Sequence, residues 1–182
     1  MDFLVLDDQQ KEIYKAQLLQ LCKDSDREFV PPLSQRSSTT QGDLTGGASG
    51  QDGVTAYFLE VMKQKILACV EEGRALGFVS FKEDYKPEHL QEAALPNIYL
   101  STLILSPQAR GKGLTKRIYT LLFDELYARR SIYTRTWSTN AAHIKILGHF
   151  GFAEAARIKD HRGPGLDTVY FVKRREAVET KG

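Results

Sequence analysis

The 182-residue chain is poor in cysteine and has no long uninterrupted apolar run. Its two cysteines, Cys22 and Cys69, cannot make a disulfide framework or a cysteine metal site, which is typical of a reducing cytoplasm. No apolar run approaches the roughly 20 residues that a membrane-spanning helix needs. Near the N-terminus, Asp2, Asp7 and Asp8 bracket only a few apolar residues, unlike a secretory signal. We therefore expect a cytoplasmic protein without a membrane partner.

A large excess of one charge is also lacking, because the formal net charge is only +2. Basic residues occur at 110–117 and 129–135, but these groups lie at the two ends of one predicted helix. They form no continuous stripe along which a phosphate backbone could run, so we predict no nucleic-acid partner. No metal site is predicted either, because no ligand spacing links the four histidines, His89, His143, His149 and His161.

Length and hydrophobic patterning predict one domain over residues 1–176, followed by a tail at 177–182. The expected order of elements is β-α-α-β-β-β-α-β-α-β-β. Strands are predicted at 3–6, 65–70, 75–81, 98–105, 132–137, 153–159 and 168–174, and helices begin near Asp8, Val54, Leu114 and Asn140. Because a helix connects the strands at 98–105 and 132–137, these two strands should be parallel.

Residues 34–53 are rich in Ser, Thr, Gln and Gly, and Leu44 is their only large apolar residue. Such a segment buries too little surface to offset its ordering entropy, so it is predicted to be a flexible loop. Two interpretations stay open. The loop either has no role or is a flap that becomes ordered over a bound substrate.

One junction combines a strand, a glycine turn and a helix. The apolar run Ile98–Leu105 ends at Ser106-Pro107, and Gln108-Ala109-Arg110-Gly111-Lys112-Gly113 follows. The next helix has an apolar stripe formed by Leu114, Ile118, Leu121, Leu122 and Leu126. Such a junction directs successive backbone N–H groups and the positive end of a helix dipole at one spot, which predicts a phosphate site. The glycines are too close for a P-loop, and Lys116 replaces the third glycine of a dinucleotide motif.

The spacing Gln108-x-x-Gly111-x-Gly113 resembles the acyl-CoA signature of the GNAT N-acetyltransferases. The resemblance extends to the strand Tyr133–Trp137, to Asn140 and to Gly151-Phe152 at the end of the second helix. It implies an α/β (α+β) fold with a mixed, mostly antiparallel sheet, one splayed pair of parallel strands and helices on both faces. It also implies acetyl-CoA as the co-substrate.

The same resemblance implies where acetyl-CoA would bind. The pyrophosphate would rest on the turn, whose residues are Gln108, Ala109, Arg110, Gly111, Lys112, Gly113, Leu114 and Thr115. The pantetheine arm would pair with the strand edge at Leu103, Ile104 and Leu105, and Asn140 would bond the arm near its thiol end. A backbone N–H near Leu103 is the expected donor to the oxyanion.

The catalytic residues stay unassigned at this stage. Leu147 stands where family members often have a tyrosine that protonates the leaving thiolate. Tyr170 and His143 are alternatives, although an ordinary strand residue and a surface histidine are the simpler interpretations. Nothing in the spacing selects a base among Glu60, Glu92 and Asp160.

We therefore predict an acyl-CoA-dependent N-acetyltransferase that acts on a primary amine of a small molecule or a protein. The alternative is a catalytically inactive coenzyme A-binding module with a sensor or interaction role. Exposed sheet edges also make a homodimer a reasonable expectation.

Overall fold

The computed structural model describes residues 1–40, 51–90 and 93–175 as a seven-stranded mixed sheet with helices on both faces. The strands are β1 (Asp2–Val5), β2 (Lys65–Glu71), β3 (Arg74–Glu83), β4 (Asn97–Leu105), β5 (Ser131–Trp137), β6 (Ala153–Ile158) and β7 (Thr168–Lys173). The helices are α1 (Asp8–Ser25), α2 (Gln51–Met62), α3 (Leu114–Thr120) and α4 (Ala141–His149). The predicted fold class and order of elements are confirmed. None of the described helices has the length and apolar character that crossing a membrane requires.

The sheet opens in its middle, between β4 and β5. Its strand order is β1-β2-β3-β4-β5-β7-β6, and β4–β5 is the parallel pair. These two strands pair over 97–100 and 131–134. Beyond that point each strand continues to pair with its outer neighbour, as far as Leu105 opposite Gly77 and Trp137 opposite Thr168. The parallel pair that the element order predicts and the splay that the family resemblance implies are therefore both present.

A β-bulge lies where β4 leaves β5. The β3–β4 register changes there, because Ser80 opposes Thr102 while Phe81 opposes Leu100, so Ser101 is the additional residue. A bulge bends its strand and increases the local twist. The Ser101 hydroxyl lies 2.5 Å from Gln64 Oε1 and 2.9 Å from Ser80 Oγ. These contacts hold the bend that separates β4 from β5.

The two faces of the sheet carry two hydrophobic cores. Helices α1 and α2 cover one face, where Leu18, Leu21 and Cys22 of α1 are buried, as their spacing predicts. Helices α3 and α4 cover the other face, with Ile118 and Leu147 in the core. The second core includes Ile98 and Leu100 of β4 and Ile132 of β5, so the paired parts of the two strands are firmly packed next to the opening.

Helix α3 departs from its predicted apolar stripe at the C-terminal end. Leu114, Ile118 and Leu122 are buried, but Leu126 is 45% exposed, so that part of the prediction is wrong. The chain continues after Thr120 as a π-helix over Leu121–Leu126. A π-helical turn holds more residues than an α-helical turn, and the positions after it therefore face a different direction. Phe123 takes the buried place instead.

The segment predicted as irregular over 34–53 is shorter than expected. Leu33–Gln35 forms a 3₁₀ turn, and Ser34, Arg36 and Thr39 are buried. The Asp26 carboxylate fixes this turn by accepting the Ser34 N–H at 2.7 Å. Helix α2 already begins at Gln51. The part of the predicted loop at 41–50 lies outside the described residues.

Candidate functional site

A cavity of about 330 Å³ occupies the opening between β4 and β5. One wall is β4 over 100–105, whose edge is free after Leu100, and the opposite wall is β5 over 134–137. Side chains of α3 and α4 close one side, while the segment after α1 and the β6–β7 turn close the other. The cavity therefore lies at the place where the sequence predicts a cofactor slot.

The glycine turn next to this cavity presents free backbone donors. Gly111 and Gly113 both have φ of 73°, a left-handed conformation that favours glycine. Within the described ranges, no acceptor takes the N–H groups of residues 111–116. The Ala109 and Arg110 N–H groups, which the sequence also assigns to pyrophosphate, donate instead to Ser106 O at 2.9 Å and Pro107 O at 3.3 Å. The run of free donors therefore begins at Gly111.

The predicted cofactor residues divide into two adjoining groups. Six of them line the cavity: Leu103, Ile104, Leu105, Arg110, Thr115 and Asn140. Four are exposed on the turn: Gln108, Gly111, Lys112 and Gly113. Ala109 and Leu114 are buried beside Cys69, where they anchor the turn to the sheet. The cavity and the turn together make one elongated surface.

Arg110 links the turn to the end of β4. Its guanidinium donates to Leu105 O at 3.1 and 3.0 Å and to the Glu28 carboxylate at 2.7 and 3.0 Å. The Leu105 carbonyl, which the sequence predicts as a partner for the pantetheine arm, therefore already accepts from Arg110. Leu103 and Ile104 remain as the strand-edge residues toward the cavity.

Asn140 serves as the N-cap of α4. Its Oδ1 accepts the His143 N–H at 3.3 Å, and its Nδ2 donates to Thr136 Oγ1 at 3.0 Å. A side-chain amide nitrogen has two hydrogens, so one hydrogen of Asn140 is left for a molecule in the cavity. The cap thus fixes the direction in which that hydrogen points.

Tyr119 and His143 form a polar pair in the cavity wall. Tyr119 Oη lies 2.7 Å from His143 Nε2, and both side chains line the cavity. Burial raises the pKa of Tyr119 and lowers the pKa of His143 to about 4. His143 is therefore not the surface histidine of the simpler interpretation. Leu147 is fully buried in the core and gives the cavity no polar group.

The depressed pKa of His143 predicts an acid-sensitive fold. The unfolded chain takes up a proton near pH 6.5, whereas the folded chain resists protonation down to about pH 4. The free energy of unfolding should fall by about 3 kcal/mol as the pH drops through this window, and it should be fully regained above pH 6.5. Urea denaturation across pH 4–7 would show this slope reduced in His143→Gln. Equal slopes in the two proteins would contradict the assignment.

Two of the three candidate carboxylate bases, Glu60 and Asp160, do not line the cavity. Glu60 pairs with Lys63 at 2.5 Å, and Asp160 accepts the Gly165 N–H at 2.6 Å. Glu92 lies outside the described residues. Of the cavity-lining residues in the described ranges, Glu28 is the sole carboxylate, and it is paired with Arg110.

Over those same ranges, no group of three His, Cys, Asp or Glu side chains could hold a metal ion.

The aromatic and cationic end of the cavity is not predicted by the sequence patterns. Phe29 and Trp137 lie there with ring centroids 5.9 Å apart, beside Arg36, Arg135 and Arg162. A weak signal existed, since Arg135 and Trp137 are two residues apart and so share one face of β5. Tyr119 could also have been found, because it follows Thr115 by one helical turn. Tyr170, a candidate acid, is buried behind this end and contacts Arg135 Nη1 at 3.3 Å.

The fold, the open strand edge and the glycine turn agree with a comparison of the sequence with known families. The model of the Acetyltransferase (GNAT) family matches residues 22–152. The chain belongs to this family of acetyltransferases. No curated protein matches the chain significantly.

Solved structures of acetyltransferases share the fold. A ribosomal-protein-alanine N-acetyltransferase from Brucella melitensis has a TM-score of 0.63 and 19% identity, covering 96% of this chain and 99% of its own. yncA from Salmonella typhimurium, solved with its cofactor acetyl-CoA, has a TM-score of 0.60 and 17% identity, with 100% and 98% coverage. An aminoglycoside 6'-N-acetyltransferase complexed with coenzyme A has a TM-score of 0.65 and 15% identity, with 97% and 98% coverage.

Proposed function

We propose that this protein transfers an acetyl group from acetyl-CoA to a primary amine of a small molecule or a protein. Membership of the GNAT family supports acetyltransferase chemistry. The observation that carries the proposal is the open β4 edge beside the free backbone donors of residues 111–116 in the described chain. A diphosphate and a peptide-like arm are the chemical groups that such a surface fits.

The residues around the cavity match the parts of acetyl-CoA. The N–H groups from Gly111 onward, at the start of α3, would hold the pyrophosphate. The main chain at Leu103 and Ile104 would pair with the amides of the pantetheine arm, as an added strand does. Thr115 and the free amide hydrogen of Asn140 would complete the contacts. Acetyl-CoA would supply the activated thioester.

The groups that line the cavity would determine how the amine is deprotonated and how the oxyanion is stabilised. An amine with a pKa near 10.4 must lose its proton, which costs roughly 4–5 kcal/mol at pH 7. Because Glu28 is tied to Arg110, the cavity lining has no free carboxylate within the described residues, and the proton would leave through water. The N–H groups of the β4 edge near Leu103 would stabilise the oxyanion.

Tyr119 is the proposed proton donor to the departing thiolate. Its raised pKa keeps the hydroxyl protonated, and its side chain faces the cavity. His143 would act as a positioning residue, because its Nε2 fixes the hydroxyl at 2.7 Å. This pair would replace the tyrosine that is missing at Leu147.

Binding of acetyl-CoA through the turn can be tested by thermal denaturation. Acetyl-CoA should raise the Tm of the native protein, and Gly111→Val and Gly113→Val should abolish that increase. A Cβ would meet nothing within 4 Å at either glycine, but valine does not tolerate φ of 73°. The backbone would therefore leave this conformation and turn its N–H groups away.

Gly73→Val is the matched control for these two variants. Gly73 has φ of 75° and open space around its Cβ, but it lies in the β2–β3 turn, away from the cavity. This variant should lose similar stability and keep the acetyl-CoA shift. A native Tm that does not change in millimolar acetyl-CoA would falsify the proposed function.

A coenzyme A-binding module without catalysis is the second candidate. It is favoured by the buried Leu147 and by the pairing of Glu28 with Arg110. Release of free thiol from acetyl-CoA separates the two candidates, because turnover with any amine excludes the inactive module. A thermal shift without thiol release across a broad amine panel would favour the module.

The oligomeric state, the extent of the domain, the location and the partners are further proposals. A homodimer could form through the sheet edges β1 or β6. We keep a single domain over residues 1–176 with a flexible segment within 34–53, a cytoplasmic location, and no nucleic-acid or membrane partner. Size-exclusion chromatography with light scattering would determine the oligomeric state.

A further inference from the structure

We propose that the amine acceptor carries an anionic oxygen group, a carboxylate or a phosphate, and that Arg36, Arg135 and Arg162 bind this group. The inference rests on the proposed function and narrows its substrate class. The three arginines come from three separate parts of the chain, namely the segment after α1, strand β5 and the β6–β7 turn. All three line the same end of the cavity.

These guanidinium groups are taken out of water. Arg36 is only 5% exposed, and Arg135 and Arg162 are half-buried. Each of them also lies over an aromatic ring, namely Phe29, Tyr170 and Trp137 in turn, at 5.3, 6.0 and 5.9 Å from the ring centroid. Cations in such surroundings need a compensating negative charge more than exposed cations do.

The hydrogen-bond partners of the three arginines are neutral. Arg36 donates to Pro31 O at 3.0 Å and to Val30 O at 3.2 Å, and Arg162 donates to Thr168 Oγ1 at 2.9 Å and to Val30 O. In the described part of the chain, no carboxylate pairs with any of the three. Their positive charges are therefore gathered at one place without a counter-charge from the residues that the structure describes.

Arg135 supplies the most direct sign of a missing partner. Its Nη1 donates to Tyr170 Oη at 3.3 Å, but its Nη2 is buried without any hydrogen-bond partner in the described chain. A buried donor without an acceptor costs about 1–3 kcal/mol. A carboxylate or phosphate oxygen would satisfy it, and the planar guanidinium fork fits both groups.

The repulsion that Arg36 and Arg135 exert on Arg162 supports the same conclusion. Burial, together with the charges of Arg36 and Arg135, lowers the pKa of Arg162 to about 9. Arg162 thus keeps its charge near neutral pH at an energetic cost. An anion bound among the three side chains would offset both the burial and the repulsion.

The position of the cluster assigns this anion to the acceptor rather than to coenzyme A. Arg36 lies near Tyr57, whose Oη is 2.6 Å from Thr102 Oγ1. Thr102 precedes Leu105, at the turn, by three residues, or about 10 Å of extended strand. At the turn end, Arg110 is already paired with Glu28. The anionic group therefore lies along the cavity, away from the diphosphate turn.

Matched acceptor pairs test the proposal on the native enzyme. Thiol release from acetyl-CoA would be followed with free amino acids and ω-amino acids against their amides, and with aminoalkyl phosphates against plain alkylamines of equal length. We expect an anionic member to exceed its neutral partner at least tenfold in kcat/KM. The carboxylate and phosphate series show which oxyanion is preferred.

Substitutions in the arginine cluster are the second test of the proposal. Arg135→Gln should raise the KM for the best anionic acceptor at least tenfold and remove its advantage over the neutral partner, while the acetyl-CoA thermal shift is kept. Arg135→Lys keeps the positive charge but loses the planar guanidinium fork, so it should keep only part of the preference for the anionic acceptor. Arg162→Gln is a second variant in case the first is unstable. Arg74→Gln, at an exposed position starting β3, is the matched control.

The outcomes separate this inference from the proposed function. Turnover of neutral amines with equal or better kcat/KM overturns the inference alone, and so does a panel in which neutral acceptors are acetylated but no anionic acceptor is. A panel without any acetylation favours the inactive module and so overturns the proposed function together with the inference. Unchanged discrimination in both Arg135→Gln and Arg162→Gln also overturns it. Failure of the native enzyme to bind acetyl-CoA overturns the proposed function instead.

Discussion

Gly77→Ala is expected to destabilise the protein by about 3 kcal/mol, a large effect for one added methyl group. A Cβ at this position would lie 2.5 Å from the main-chain oxygen of Ile104 and would also overlap the Leu105 side chain. The backbone oxygen cannot rotate away, so β3 and β4 would have to separate. Because this strain would displace Ile104 and Leu105, whose opposite edge is proposed to bind the pantetheine arm, the acetyl-CoA thermal shift should also decrease.

Gly148→Ala is the matched control for this substitution. Gly148 lies inside α4, and a Cβ there would meet nothing within 4 Å. Alanine is a better helix former than glycine by about 1 kcal/mol, so this variant should be slightly more stable than the native protein. Urea denaturation measures both changes. Equal effects at the two positions would show that the close β3–β4 approach has no energetic role.

The order of elements could be predicted because it depends on local patterns. The α1 face at Leu18, Leu21 and Cys22 follows from helical spacing, and the parallel pair follows from the helix that connects its strands. Leu126 could not be placed correctly, since it is the last residue of a π-helix, in which side chains no longer follow α-helical spacing. A periodic pattern assumes an unbroken helix and cannot show where a wider turn occurs.

One part of the site is formed by a single short segment of the chain, and another part is formed by residues that are distant in sequence. The donors of the turn depend on two glycines and a helix start in one short segment, so the sequence could indicate them. The arginine cluster joins residues as far apart in sequence as Arg36 and Arg162, and Arg36 lies in a segment whose composition predicts a loop. The guanidinium of Arg36 folds back onto the main-chain oxygens of Pro31 and Val30, and the composition of the segment does not reveal this compact turn.

Tyr119→Phe is expected to lower kcat by about 100-fold or more, the usual range for loss of a general acid. Of the cavity-lining residues that the structure describes, Tyr119 is the only phenol, and its hydroxyl is held by His143. The KM for acetyl-CoA should change little, because the proposed binding contacts are backbone groups of the turn and β4. His143→Gln should give a smaller decrease, since it removes only the orientation of the hydroxyl.

The loss must be separated from a loss of stability, because phenylalanine leaves His143 Nε2 without its partner at a cost of about 1–3 kcal/mol. The rate should therefore be measured well below the Tm of each protein. An acyl donor with a more acidic arylthiol leaving group supplies the chemical test, since such a thiolate departs without needing a proton. The defect of Tyr119→Phe should become much smaller with that donor. An equal defect with both donors would assign Tyr119 a structural role and leave the departing thiolate unprotonated by the enzyme.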